Sequence, residues 1–480
     1  MIDILFVHVG KHTSKEVSIL VHPMGLFVLA DRAERAGWRS YILNYSFEKI
    51  LNPNFSLVEM IKKLSPQVVA FSLHWHPQSF STIQQIKEVK QTFPELTVLV
   101  GGFTATYFAF ELIKNFKEID FIIRGDAEVP LELFLQEHKK VKRDWSKIPN
   151  LVWREGKQII LNPFSYKITP DDEEICFTNL SLMPNFPLYL KTFWNSPNKL
   201  EPKILENREQ VFFYNPGRGC RVNCSICGGS AITQRILTRR KEPVFFKIPS
   251  VIRELKQLVK LGIERVYLAF DPLPMSNTYY LELFDKLIPL KLPLKLTFEC
   301  WGLPSKEFIQ SASAAFREVT LSLFVECASE RLRKLNKGYS YTNTELFYTL
   351  ELMDKWGVNG EIYLTLGLPG EGKWEREKTL KFCKWLEDLK KYMVYLIITE
   401  LVPGAPMFLN PDKFKIKRKR KNFIDFYNAH QSEENTIGYS TIYQKEEDIL
   451  SSFSSQLWFH LERQTHIQGK GLNIVSKKTL

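Results

Sequence analysis

No stretch of about 18 consecutive apolar residues occurs in the 480-residue chain, and residues 1–30 lack the basic start and small-residue cleavage site of a secretory signal. The expectation is a cytoplasmic protein without a membrane span. Cysteine is scarce: there are seven, an odd number, and Cys176, Cys300, Cys327 and Cys383 each stand alone. That argues against a disulfide framework and for a reducing compartment. No recognisable nucleic-acid module accompanies the formal charge of +12, so its sharpest local excess, the basic run at 413–421, reads as a solvated turn. A nucleic-acid partner is not expected. Apolar residues at 44% and charged residues at 25% give a globular composition, and the length allows two or three domains with separate cores.

One place breaks the scarcity of cysteine. Cys220, Cys224 and Cys227 fall within eight residues, in C-x3-C-x2-C spacing. Thiolates are the soft ligands that hold iron–sulfur clusters, and a loop of this spacing can wrap three corners of a cubane. The fourth iron is then open to chelate a small molecule by an amine and a carboxylate. A structural zinc site would take four ligands in close pairs, and no second close pair exists.

Around this loop the chain alternates strand and helix patterns. Residues 2–9, 39–43, 67–72, 97–100 and 120–123 read as strands, with helices over 25–36, 57–64 and 82–92 between them, which predicts a parallel sheet with right-handed crossovers. Ligands of such sheets bind beyond the carboxyl ends of the strands. Residues 141–208 are rich in proline and hold only short strands, at 150–153 and 158–161, which can pair as a hairpin; the stretch reads as a linker strap, with Trp194 assigned to packing. From 209 the alternation resumes, with strands at 210–214, 265–270, 294–298, 318–324, 361–366 and 395–399 and helices at 250–261, 279–287 and 344–356. Six strands with crossovers describe a partial (β/α)6 barrel, whose chemistry belongs at the C-terminal strand ends. Residues 407–480, with Phe423, Phe426, Tyr427, Trp458 and Phe459, read as a mostly helical extension.

The cysteine loop resembles that of the radical S-adenosylmethionine superfamily, with Ile226 where that family usually has an aromatic residue. The ordered set Gly25, Ser72, Gly101-Gly102-Phe103-Thr104 and Arg124-Gly125-Asp126 resembles the cobalamin-binding Rossmann domain that precedes such barrels. The resemblance implies a Rossmann-like cobalamin-binding domain at 1–140, the strap at 141–208, a radical barrel at 209–406 and an accessory region at 407–480. It implies that Cys220, Cys224 and Cys227 hold a [4Fe-4S] cluster. S-adenosylmethionine is expected near Ile226, Asp271, Glu326, Leu366 and Glu371, with Glu326 offering its carboxylate to the ribose and Asp271 to the methionine amine. Cobalamin is expected near Gly25, Ser72, His74, Trp75, Gly101, Gly102, Thr104, Arg124, Gly125 and Asp126. The signature D-x-H-x-x-G is absent: with His12 as its histidine, Gly10 stands where Asp belongs and Lys15 where Gly belongs. Cobalamin would therefore bind base-off without that histidine.

The implied reaction is radical methylation of an unactivated carbon or phosphorus centre, by methylcobalamin and a 5′-deoxyadenosyl radical. The substrate would be a small molecule or peptide, and a flavodoxin or ferredoxin the external electron donor. Cyclisation or rearrangement without methyl transfer uses the same ligands. A non-catalytic cobalamin or cluster sensor that binds nucleic acid is the reading from another class.

Overall fold

The computed structural model describes residues 2–12, 17–18, 23–169, 175–191, 208–272, 275–431, 437–441, 445, 447, 449 and 451. Trp194, Trp458 and Phe459 lie outside the described residues. The chain divides into two compact units: residues 1–210 with 234–250 and 421–434, and residues 211–233 with 251–420 and 435–480. Among the described residues no helix is long and apolar enough to cross a membrane.

The first unit is built on β1 (Ile4–His8), α1 (Met24–Arg35), β2 (Ser40–Asn44), α2 (Leu57–Leu64), β3 (Val68–Ser72), α3 (Ser79–Thr92), β4 (Thr97–Gly101), β5 (Phe121–Ile123), α4 (Glu128–His138), β6 (Leu151–Glu155) and β7 (Gln158–Leu161). Its sheet has the order β2-β1-β3-β4-β5-β6-β7. The first five strands are parallel, and β6 and β7 add antiparallel at one edge. Strand β1 is buried along its whole length, as the continuous apolar run Ile4-Leu5-Phe6-Val7 requires of a strand with both faces covered. The strand order turns around β1, so the crevice between the carboxyl ends of β1 and β3 is the topological switch point. Register places Asn44, His8, Ser72 and Gly101 side by side along that edge.

The second unit carries β8 (Val211–Tyr214), α5 (Ile248–Lys260, whose first turn falls in the first unit), β9 (Arg265–Leu268), α6 (Met275–Leu287), β10 (Lys295–Cys300), α7 (Lys306–Ala315), β11 (Val319–Glu326), α8 (Glu330–Asn336), α9 (Asn343–Lys355), β12 (Asn359–Leu366), α10 (Lys373–Asp388) and β13 (Tyr392–Ile398). These six strands form one parallel sheet in sequence order. On its helix-covered face Phe298 packs on Tyr280 and Phe308, with ring centroids 4.7 and 4.9 Å away. The opposite face carries polar and aromatic side chains.

Three differences from the expected pattern have physical causes. Strands β10 and β11 run two residues further than the apolar pattern indicated, because the polar Glu299 and Glu326 are strand residues pointing away from the helices. The hairpin forms as expected but also extends the first sheet, through Phe121–Trp153 and Ile123–Leu151 pairing. The basic run is part turn, at 413–415 with both lysines exposed, and part strand. Residues Ile416–Arg418 (β14) pair antiparallel with Tyr439–Thr441 (β15), with Phe414, Ile416 and Arg420 buried while Lys413, Lys415, Lys417 and Lys419 are exposed. Period-two alternation of apolar and basic residues suits a half-buried strand. The rest of the described accessory region includes α11 (Phe423–Ala429), whose Phe423 and Phe426 pack on Phe108 within the first unit.

The hairpin and the segment after it are fastened by polar groups. Asn150, fully buried, donates to the carbonyls of Asp126 and Tyr166 and accepts from the Tyr166 amide. Asp126 accepts from the Ile168 amide and pairs with Arg240 at 2.5 Å, both side chains being buried. Removing one member of such a pair leaves the other charge uncompensated. Arg240→Ala is expected to lower unfolding stability by about 3–5 kcal/mol, measured by denaturant titration, and the apolar double variant Arg240→Met/Asp126→Leu to recover most of it.

Candidate active site

The cysteine loop leaves the end of β8 and is pinned at its middle. Ser225 donates its amide to the Asn336 carbonyl at 2.6 Å and its hydroxyl to Asn336 Oδ1 at 2.5 Å, while its own carbonyl accepts from the Met407 amide at 2.9 Å. Asn336 is in turn held by the carbonyls of Leu332 and Pro369. Gly338 has φ +65°, and a Cβ there would stand 2.9 Å from the Asn223 backbone, so only glycine lets the chain after α8 pass against the loop. Two sulfurs accept loop amides, Cys220 from Val222 and Cys227 from Gly229, each at 3.3 Å, and Cys224 Sγ donates to the Lys337 carbonyl at 2.8 Å. Burial raises all three thiols, Cys220 to about 11, so a metal is needed to hold them as thiolates. Ile226 packs against Cys327, Leu332 and Leu368.

Next to this loop lies the end of β11. A bulge between Phe324 and Glu326 puts Glu326 at φ +66°, a left-handed conformation that costs a non-glycine residue about 1–2 kcal/mol. Its carboxylate accepts from Lys337 Nζ at 3.0 Å and from Thr365 Oγ1 at 2.9 Å. Burial lowers Lys337, but Glu326, with smaller help from Tyr341 and Cys224, outweighs it and holds the ammonium above its ordinary value. Asp271 is buried after β9, accepting from the Trp301 amide at 2.8 Å and the Ser276 hydroxyl at 2.5 Å; desolvation raises it to about 6. Glu371 accepts from the Gly367 amide at 2.9 Å and so closes the turn that follows β12 and the buried Leu366.

The helix-free face of the second sheet holds groups that the sequence reading did not single out. Glu299 accepts from the Tyr267 hydroxyl at 2.7 Å, and Glu361 from the Ser322 hydroxyl at 2.6 Å. Phe324, Tyr363 and Tyr395 stack as a wall with successive centroids 4.6 Å apart. Burial raises Glu299 to about 7, assisted by the nearby Glu361 and Asp271 carboxyls. Alternation along β10 was the available signal: Thr297 and Glu299 fall between Leu296, Phe298 and Cys300.

In the first unit, the expected ligand-binding residues separate into two sets. Ser72, His74, Gly101, Gly102 and Thr104 meet at the carboxyl edge of the sheet: the Leu73 amide donates to the Gly101 carbonyl, and the Thr104 amide and hydroxyl both donate to the His74 carbonyl. Gly102, at φ +109°, passes so close that a Cβ would stand 2.6 Å from the Leu73 carbonyl oxygen. Trp75 is exposed, and the space beside Gly25, at the start of α1, is open. Arg124, Gly125 and Asp126 are engaged elsewhere. Arg124 donates to the Asn150 and Asn162 carbonyls and lies over the Phe164 ring, Gly125 lies close to Phe164, and Asp126 holds Arg240. His12 lies 2.6 Å from the Ser46 hydroxyl through Nε2.

A parallel barrel sheet with a three-cysteine loop after its first strand, joined to a doubly wound sheet with a glycine-lined carboxyl edge, defines a class. The B12 binding domain family matches residues 14–135 and the radical SAM superfamily residues 214–383. The chain thus carries a B12 binding domain and a radical SAM domain, and the cofactors of these domains are cobalamin, and S-adenosylmethionine with a [4Fe-4S] cluster. The anaerobic magnesium-protoporphyrin IX monomethyl ester cyclase of Cereibacter sphaeroides is 22% identical over 406 residues, covering 82% of this chain and 61% of that protein. The chain thus spans about three-fifths of that relative's length. Hopanoid C-3 methylase of Methylococcus capsulatus is 26% identical over 417 residues, covering 83% and 70%. The same fold is found in the radical S-adenosylmethionine methyltransferase TsrM of Kitasatospora setae, solved with cobalamin and a [4Fe-4S] cluster (TM-score 0.63, 17% identity, 85% of this chain and 77% of that one). It is also found in the cobalamin-dependent radical enzyme OxsB, solved with aqua-cobalamin and S-adenosylmethionine (TM-score 0.67, 13% identity, 99% and 70%).

The residue types fit these groups, although the described residues do not gather three ligands into a preformed metal group: three cysteines lie on one pinned loop, a strand-end carboxylate is beside them, and the first unit has a glycine-lined edge. Cys224→Ala is expected to abolish iron binding and leave cobalamin binding intact, read by metal analysis of protein purified without oxygen. The raised Glu299 also predicts a pH effect. From about pH 4.5 to 7 the folded state holds a proton that the unfolded chain has released, so stability falls as pH rises through this window. Denaturation midpoints at pH 6 and pH 8 should differ less in Glu299→Gln than in the wild-type protein.

Proposed function

We propose that the enzyme methylates an unactivated carbon or phosphorus centre of a small-molecule or peptide substrate. The observation that carries this reading is the presence of both sites in one chain: the cysteine loop beside Glu326, and the open carboxyl edge of the first sheet. When bound, the cluster with S-adenosylmethionine supplies hydrogen abstraction from an unreactive position, and cobalamin supplies the methyl group. The remaining work belongs to this chain's own side chains. Cys220, Cys224 and Cys227 hold the cluster. Glu326, kept in place by Lys337 and Thr365, accepts the ribose hydroxyls. Asp271, ionised at neutral pH despite its raised pKa, accepts the methionine ammonium. The ring wall of Phe324, Tyr363 and Tyr395 and the Tyr267–Glu299 pair line the face where a substrate would be shielded from water. Flavodoxin or ferredoxin is the electron donor in this reading, and the cytoplasm its location.

A second reading is favoured by the cyclase among the relatives: ring formation or rearrangement with the same cofactors and no methyl transfer. Reduced holoenzyme given methyl-labelled S-adenosylmethionine separates the two. Methylation predicts label in the cobalamin fraction with S-adenosylhomocysteine, besides 5′-deoxyadenosine. Rearrangement alone predicts 5′-deoxyadenosine without S-adenosylhomocysteine, and protein lacking cobalt excludes both.

A further inference from the structure

The described histidines of the first unit differ in what their ring nitrogens do. His12 Nε2 lies 2.6 Å from the Ser46 hydroxyl, His138 Nε2 2.9 Å from the Thr97 hydroxyl, and His76 Nδ1 3.0 Å from His430 Nε2. His8 is buried at the end of β1 and meets the Trp75 ring edge-on, with centroids 6.4 Å apart. At His74 neither nitrogen has a hydrogen-bond partner among the described residues, although the residue is tightly placed. Its ring stacks on Phe103 with centroids 4.7 Å apart and an interplanar angle of 24°, and meets the Trp75 ring at 4.8 Å and 76°. Its amide donates to Gln78 Oε1 at 3.1 Å, and its carbonyl accepts twice from Thr104. Gly102 closes against the same backbone, 2.8 Å separating its would-be Cβ from His74 Cα.

Fixing an imidazole costs conformational entropy, and leaving both its nitrogens without protein partners adds the loss of hydrogen bonds. The position gives that arrangement a use. His74 stands two residues past the end of β3, at the rim of the switch-point crevice. Burial lowers its pKa to about 4, so a nitrogen lone pair is free at neutral pH. Within the same loop, His76 is engaged with His430, and the Trp75 indole N–H is only a donor.

We propose that His74 is the protein ligand to the lower face of the cobalamin cobalt, supplied by the loop after β3 in a chain that has no D-x-H-x-x-G histidine after β1. The imidazole donates a nitrogen lone pair to cobalt in place of water, which is released, and no electron is transferred. The inference rests on the cobalamin reading of the first unit.

The test is electron paramagnetic resonance of the full-length protein loaded with hydroxocobalamin and reduced to the cobalt(II) state. Histidine ligation splits the high-field cobalt lines into nitrogen triplets, which become doublets when the histidines carry the heavy nitrogen isotope. His74→Gln should retain cobalamin at unchanged stoichiometry and lose the splitting. Unsplit lines in the wild-type protein, triplets unaffected by the histidine label, or doublets that persist in His74→Gln would each overturn the assignment while leaving cobalamin binding established. Absence of bound cobalt would remove the cobalamin reading together with the inference.

Discussion

One buried ammonium ties the second unit's chemistry together. Lys337 sits 3% exposed between the cysteine loop and the end of β11: its Nζ bonds Glu326 and the Phe324 carbonyl, and its own carbonyl accepts from Cys224. An ammonium out of water is stable only with a close, hydrogen-bonded counter-charge, and Glu326 supplies it. The left-handed turn at Glu326 brings its carboxylate to that place, so the backbone strain and the ion pair support each other. Ser225 and Asn336 add a neutral clamp next to this charged one. The loop that presents three thiols is thereby positioned by α8 and the residue after it.

The first unit solves a different problem, how to leave an edge open. Asn44, His8, Ser72 and Gly101 end in register, and Gly101 at the end of β4 with Gly102 after it add no side chains to the crevice. The polar residues that follow β5 turn away toward the hairpin. The rim is thus lined mainly from the loop after β3 and the turn after β4.

Much of this was legible in the sequence because it rested on periodicity and spacing. The apolar runs at Ile4–Val7 and Val98–Val100 admit little but buried strands, and the cysteine triplet announces its own chemistry. What stayed hidden depends on pairing in space. Glu299 looked like the end of a strand because an apolar run stops there, whereas it continues the strand on the face away from the helices. Arg124 and Asp126 carry the composition of a ligand-binding turn, yet their partners are Asn150, Asn162 and Arg240, up to 114 positions away. The lysines of the basic run are exposed, as their charge suggests, while burial of Phe414 and Ile416 between them and the strand at Ile416–Arg418 depend on a partner, Tyr439–Thr441, that the run itself does not show. Asn336 gave no signal, since its value lies in contacts made in space, with Ser225 on one side and the Leu332 and Pro369 carbonyls on the other.

The first unit is assembled from three separated stretches, the last of them at 421–434. Helix α11 lays Phe423, Phe426 and Tyr427 over Phe108 and Phe116, and His430 closes on His76. During synthesis these aromatic surfaces therefore wait uncovered until nearly the whole barrel has left the ribosome. The unfinished face of the first unit is then exposed apolar surface of the kind chaperones shield, and its closure depends on a segment more than 300 residues downstream.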